Sequence, residues 1–377
     1  MKYSIIVGIV FIASAFGLPH LVRNPEADAI NTIPTEDVHM IHIDAKPIEL
    51  NLTTPFRISR GVESTASVAI IRLTHGEYTG YGEAAPDEYY GESQETVLAC
   101  VAMFAGNLGD DPFAHEDVMQ RLNKIIRLNP AAKAAVDMAL YDIVGKILNV
   151  PLYKLLGLNA AHTAYTSFTL GIDSPAEMAK KALLARDYPI LKVKVGTKHD
   201  LENLKAIRDV SSATIRVDAN TAWTPKEAIK MINALSPYHI EFVEQPIAPY
   251  DLKGLKLVRE NVPVPIIVDE SCVTVEDIPR VAEYVDGINI KLMKCGGISH
   301  ALKMISVARA HNLRIMLGCM IESSLAITAA AHLTPLVDYA DLDGNLLIDN
   351  DPYEGVKVVN GKLILPDGPG LGVKARP

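Results

Sequence analysis

Cysteine is scarce in this chain. Its 377 residues include four, Cys100, Cys272, Cys295 and Cys319, with no C-x-x-C pair, which argues against both a disulfide framework and a thiolate zinc site. All four read as core residues. Positive charge is also in short supply: 36 Lys and Arg stand against 45 Asp and Glu, for a formal net charge of -9. Without a basic stripe, nucleic acid and acidic membrane surfaces are not expected partners. Small molecules are. The opening segment MKYSIIVGIVFIASAFG has one early lysine, an apolar run and the small residues Ala13, Ser14 and Ala15, so residues 1–17 are predicted to be a signal peptide. Export to the periplasm or the cell exterior follows, with no stable membrane span after cleavage. The alternative is an uncleaved N-terminal anchor, for which the run over residues 3–18 is short. Residues 18–38, with Pro19, Pro25 and Pro34, are predicted to be a linker.

The rest of the chain is ordinary in composition, 49% hydrophobic and 21% charged, and long enough for two domains or one large barrel with an elaboration. Apolar and polar residues alternate in MIHIDAKPIEL and SVAIIRLTHGEYTGYGEA, which predicts antiparallel strands. Apolar residues then recur at helical spacing over 92–108 and 131–150. Residues 39–150 therefore form an α+β domain. After Pro151 a short β-branched strand, a polar loop and a charged helix repeat. Strand ends recur at YTSFTLG, ILKVKVG, TIRVDAN, IEFVEQP, PIIVDES, GINIKLMK, LRIMLGCM and VDYADLDG. Eight such units suffice for a (β/α) barrel, a modified TIM barrel over 151–344. The tail, 345–377, reads as a hairpin and loop returning to the first domain.

Lys192 and Lys194 in ILKVKVG share one strand face, because successive strand side chains alternate. An edge strand with solvated lysines is one explanation. The neighbouring strands favour another. Asp218, Glu244 and Asp269 lie at three consecutive strand ends, 26 and 25 residues apart. Three carboxylates at the catalytic mouth of a barrel repel strongly unless a cation lies between them. Taken singly, each acid reads as a helix cap or surface acid; in register they predict a hard divalent ion, Mg2+ first and Mn2+ second. Asn220 follows Asp218 on the same loop as a supporting group. Lys291 lies one strand beyond Asp269, and Lys194 one strand before Asp218, so the two face each other across the metal. A substrate carboxylate held there would have an amine on each side of its α-carbon. Removing an α-proton needs concentrated positive charge and a neutral base, and Lys192 is expected to lower the proton affinity of Lys194 while itself touching the substrate.

In this order KVKVG, DAN, EQP, DES and KLMKCGG, preceded by the helical AAKAAVDMALYDIVGK, resemble the enolase superfamily, muconate-lactonizing subgroup, and within it the dipeptide epimerases. Sites of that superfamily use a Lys or His base with magnesium stabilising an enediolate. The resemblance implies a dipeptide epimerase, L-Ala-D/L-Glu epimerase-like, that inverts the C-terminal residue through Lys194 and Lys291. It further implies that Asp341 and Asp343 in YADLDG receive the substrate ammonium, and that Thr169, Cys319, Met320 and Ile321 touch substrate. Glu322 reads as structural. Specificity would lie in TPFRISRGVEST and EAAPDEYYGES, with Arg57 and Arg60 as candidate contacts, Arg60 foremost, and Glu63 where some relatives carry an arginine. Assembly into a homo-oligomer is expected. The alternatives are a muconate-type cycloisomerase or o-succinylbenzoate synthase on the same fold, a Schiff-base aldolase, and an exported, non-catalytic peptide-binding protein.

Overall fold

A computed structural model describes residues 40–377. The signal peptide and linker expected over 1–17 and 18–38 lie outside the described residues. β1 (His42–Ile58), β2 (Gly61–His75) and β3 (Tyr78–Ala84) form an antiparallel sheet in that order. The β1–β2 register slips between Asn51 and Phe56. A bulge of this kind bends and twists a hairpin, and here the tip meets the barrel, where the Ile172 amide donates to Arg57 O at 2.9 Å.

Two helices back the sheet, α1 (Gln94–Phe104) and α3 (Pro130–Ile147), and α2 (His115–Ile125) packs against both of them. Ser93 and Thr96 form a capping box at the start of α1. Pro130 opens α3, where a missing N–H costs nothing. α3 is buried almost all round because its alanines let β3 approach: a Cβ on Gly80 or Gly82 would collide with the Ala139 or Ala135 carbonyl. The expected helices over 92–108 and 131–150 are thus present but shorter. α2 went unpredicted.

Eight parallel strands follow, β4 (Phe168–Leu170), β5 (Ile190–Lys194), β6 (Thr214–Asp218), β7 (Ile240–Glu244), β8 (Ile266–Val268), β9 (Gly287–Lys291), β10 (Arg314–Gly318) and β11 (Tyr339–Asp341), hydrogen-bonded in sequence order. A parallel bridge from Thr166 to Ala340 brings the first and last together. Every predicted strand end falls on one of these strands. Phe242, Ile267 and Met316 pack the barrel floor against Tyr339, with the Arg216 guanidinium over the Phe242 and Tyr339 rings.

The tail divides its attachments. Leu347 and Asp349 bond to β1 through Thr53 and Asn51, as a return to the first domain requires. The hairpin of β12 (Lys357–Val359) and β13 (Lys362–Ile364) instead meets the segment that leads into β4, where Thr166 N donates to Gly361 O at 2.8 Å and Thr163 Oγ1 to Leu363 O at 2.6 Å. That placement corrects the expectation that the hairpin itself lies on the first domain.

Candidate active site

Strand register builds the site. Lys194, Asp218 and Glu244 are directly paired on β5, β6 and β7, while Lys291, Gly318 and Asp341 are paired on β9, β10 and β11. β5 and β9 lie four strands apart in a ring of eight, so Lys194 and Lys291 occupy opposite walls. Asp269 follows the end of β8. Above the strand ends is a cavity of about 520 Å3 lined by Lys192, Lys194, Lys291, Thr169, Asn220, Asp341, Asp343 and the 319–321 loop from the barrel, and by the β1–β2 hairpin tip from the cap.

All the acids are buried: Asp218, Glu244 and Asp269 are at most 1% exposed. Lys192 crosses between them, its Nζ lying 3.1 Å from Asp218, 2.7 Å from Glu244 and 2.5 Å from Asp341. Burial would favour the neutral amine, but the Asp341, Glu244 and Asp218 carboxylates outweigh it and hold Lys192 well above the ordinary lysine range. Lys194 donates to Asp218 at 2.6 Å and to Asn220 Oδ1 at 3.1 Å. Lys291 lies 2.9 Å from Asp269, whose carboxylate raises the lysine against the effect of burial. The Asp218 and Asp269 carboxyls are held far down by these ammonium groups despite their burial. Glu244 goes the other way, pushed up to about 7 by burial and by Asp218.

Glu244 also marks a cation site. Its Oε1 accepts from Asn289 Nδ2 at 2.8 Å, whereas Oε2 has no hydrogen-bond donor; the Lys192 ammonium is close but outside hydrogen-bonding direction. As they stand, no three acids among the described residues converge on one point, because lysine ammonium groups lie between them. An all-oxygen donor set at the ends of consecutive strands, with one carboxylate oxygen that accepts no hydrogen bond, fits a small divalent ion.

Asp341 and Asp343 are paired to the barrel. Asp341 accepts from Ser167 Oγ at 2.6 Å as well as from Lys192, and Asp343 accepts from the Thr169 amide at 2.6 Å. Burial and Asp341 push Asp343 up to about 7.

Models of two families match the chain: the "Mandelate racemase / muconate lactonizing enzyme, N-terminal domain" over 41–157 and the "Enolase C-terminal domain-like" domain over 175–377. The chain belongs to the mandelate racemase and muconate lactonizing enzyme family of the enolase superfamily. It is similar to the L-Ala-D/L-Glu epimerase of Bacteroides thetaiotaomicron, 42% identical over 329 residues that cover 87% of this chain and 86% of that protein. It is likewise similar to the hydrophobic dipeptide epimerase of Enterococcus faecalis, 40% identical over 353 residues and covering 89% and 99%. A crystal structure of the E. faecalis dipeptide epimerase, complexed with Mg and the dipeptide L-Leu-L-Tyr, superimposes with a TM-score of 0.85 at 38% identity over 89% of this chain and 99% of that one.

Within this family fold, the residues singled out from the sequence line the cavity or lie directly beneath it, except that Arg57 is exposed outside it, and with two further qualifications. Arg60 reaches the cavity, but its guanidinium is taken by Glu270 at 2.5 Å and stacks 4.3 Å from the Tyr89 ring; it is an anchor for the hairpin tip, not a free cation awaiting substrate. Cys319, read as a core residue as well as a substrate contact, lines the cavity, while the other three cysteines are buried. Two supports went unread. Lys294, fully buried, donates to the Asp269 carboxylate, to Asp269 O at 2.7 Å, to Cys272 O at 3.1 Å and to Asn289 O at 3.0 Å. Glu83 on β3 accepts from the Ser323 amide and hydroxyl, tying the cap sheet to the loop that carries residues 319–321. Glu322, read as structural, bonds to the Met320 amide at 2.8 Å.

Proposed function

We propose that the protein is a magnesium-dependent dipeptide epimerase that inverts the α-carbon of the C-terminal residue by two-base proton transfer. One observation carries this reading: two lysines, Lys194 buried and Lys291 largely so, on opposite walls of the same cavity beside three buried carboxylates. The similarity to named dipeptide epimerases and to a Mg–dipeptide complex supports it. Asp218, Glu244 and Asp269 would hold a magnesium ion, which would supply the concentrated positive charge that removal of a proton α to a carboxylate requires. Lys192, kept cationic by its three acids, orients the substrate carboxylate. Asp341 and Asp343 receive the substrate ammonium, for which paired carboxylates are suited. Lys194, as the free amine, takes the α-proton from one face, and the Lys291 ammonium returns a proton to the other; the reverse reaction exchanges their roles.

A cycloisomerase or o-succinylbenzoate synthase on this fold needs one base and no ammonium site, so the second lysine and the Asp341–Asp343 pair favour the epimerase. The export signal expected over residues 1–17 would give the enzyme a role in handling peptides outside the cytoplasm, tested by sequencing the N-terminus of the mature chain. Incubation with magnesium and a dipeptide panel in D2O tests the activity. Gain of one mass unit in at least one dipeptide, with formation of its diastereomer, is expected; exchange in none would overturn the reading.

A further inference from the structure

The reaction alone does not say which side chain the inverted carbon carries, but the cap wall of the cavity holds charges that bear on it. Glu63, Asp87, Glu88, Glu92 and Glu95 line that wall, against Arg60 as its one cation. Arg60 is already neutralised by Glu270. Glu92 accepts from the Ala131 amide, and Glu95 from Ser93 Oγ. Glu63 differs from both: its carboxylate accepts no hydrogen bond and joins no ion pair among the described residues, although it feels Asp87, Arg60, Glu88 and Lys194. It stands on β2 opposite Phe56, at the hairpin tip that overhangs the lysines.

We infer that the cavity selects dipeptides whose inverted residue carries a basic side chain, of lysine or arginine type, and turns away acidic ones. The inference rests on the epimerase reading and deepens it. With the substrate ammonium at Asp341 and Asp343, the carboxylate at Lys192 and the barrel floor filled by Phe242, Ile267 and Met316, the side chain is directed at the cap. Phe56 and Ile58 line the way and suit the methylene stem of a long cationic side chain. Its charged end then meets Glu63, with Asp87 and Glu88 adding to the field. A carboxylate in the same place would have three acids around it and no uncommitted cation, a repulsion that water at the exposed Glu63 and Glu88 moderates and salt screens.

The test is the rate of deuterium exchange by the magnesium-loaded, full-length protein into L-Ala-L-Lys, L-Ala-L-Gln and L-Ala-L-Glu, each as kcat/KM. The lysine dipeptide is expected to exceed the glutamate dipeptide by at least about tenfold, by a margin that narrows as salt screens the charges. Glu63→Gln should narrow the ratio and Glu63→Arg should reverse it, with Glu88→Gln as an independent variant that narrows it less. Equal or faster exchange of the glutamate dipeptide, or a ratio that neither Glu63 variant nor salt changes, would overturn the inference and leave the epimerase standing. Exchange in none of the three, with exchange in another member of the dipeptide panel, would overturn the inference alone; exchange in no dipeptide of the panel would overturn both.

Discussion

Single residues divide by how their chemistry shows in a linear chain. Lys192, Lys194 and the acids at Asp218, Glu244 and Asp269 were legible because a strand period of two and a strand–helix repeat near 25 residues place them together without further information. Lys294 was not. A lysine just past a strand end reads as a solvated residue, and only tertiary packing surrounds it with the Asp269 carboxylate and three carbonyl oxygens. Because it orients the Asp269 carboxylate and the backbone around it, Lys294→Met is predicted to weaken metal binding about 10- to 100-fold, read by titration of Mn2+ into the protein without substrate. Unchanged Mn2+ affinity in a folded variant would make its role purely structural. Arg60 was visible as a cation, but its partner Glu270 lies 210 residues away, and no local pattern announces that pairing.

At the scale of elements, the barrel strands were readable as β-branched runs with polar ends, while α2 was missed for a physical reason. It buries only Val118, Met119 and Leu122 and has no side-chain cap, so neither a wide apolar stripe nor a start signal stands out. The β3–α3 contact depends on two glycines. Gly82→Ala would drive a methyl into the Ala135 carbonyl, and overpacking of this kind is predicted to cost about 1–3 kcal/mol, read as a lower urea midpoint. His332 closes another junction: its Nδ1 accepts from the Tyr153 amide and Nε2 meets Leu371 O in the tail. Burial holds it neutral, with its pKa lowered from 6.5 to about 4. Between those values the unfolded chain binds a proton that the native state refuses. The stability that His332 contributes is therefore complete above pH 6.5 and lost as pH falls toward 4, roughly 3 kcal/mol in all. Buried carboxyls raised to about 7, Glu244 and Asp343 among them, act in the opposite direction over this range, so the readout is a difference: the stability margin of the wild type over His332→Gln should shrink as thermal unfolding is followed from pH 7 to pH 4.

Across the whole molecule, cap, barrel and tail meet at the cavity: the hairpin tip overhangs it, Glu83 on β3 holds Ser323, and residues 347–349 return to β1. A divalent ion that binds only the folded state must stabilise all three. Magnesium at about 100 times its Kd is predicted to add about 2.7 kcal/mol, seen as a rising Tm that EDTA reverses and Glu244→Gln abolishes. The two opposed lysines are the centre of the account, and their separate roles are open to one measurement. Each diastereomer of a single accepted dipeptide would be incubated in D2O with Lys194→Ala and with Lys291→Ala. Two-base chemistry predicts that neither variant epimerises, with turnover down at least about 100-fold. It also predicts that each variant still exchanges the α-proton of one diastereomer, the opposite one in the two cases. Epimerisation surviving in either variant, or exchange of the same diastereomer by both, would contradict it.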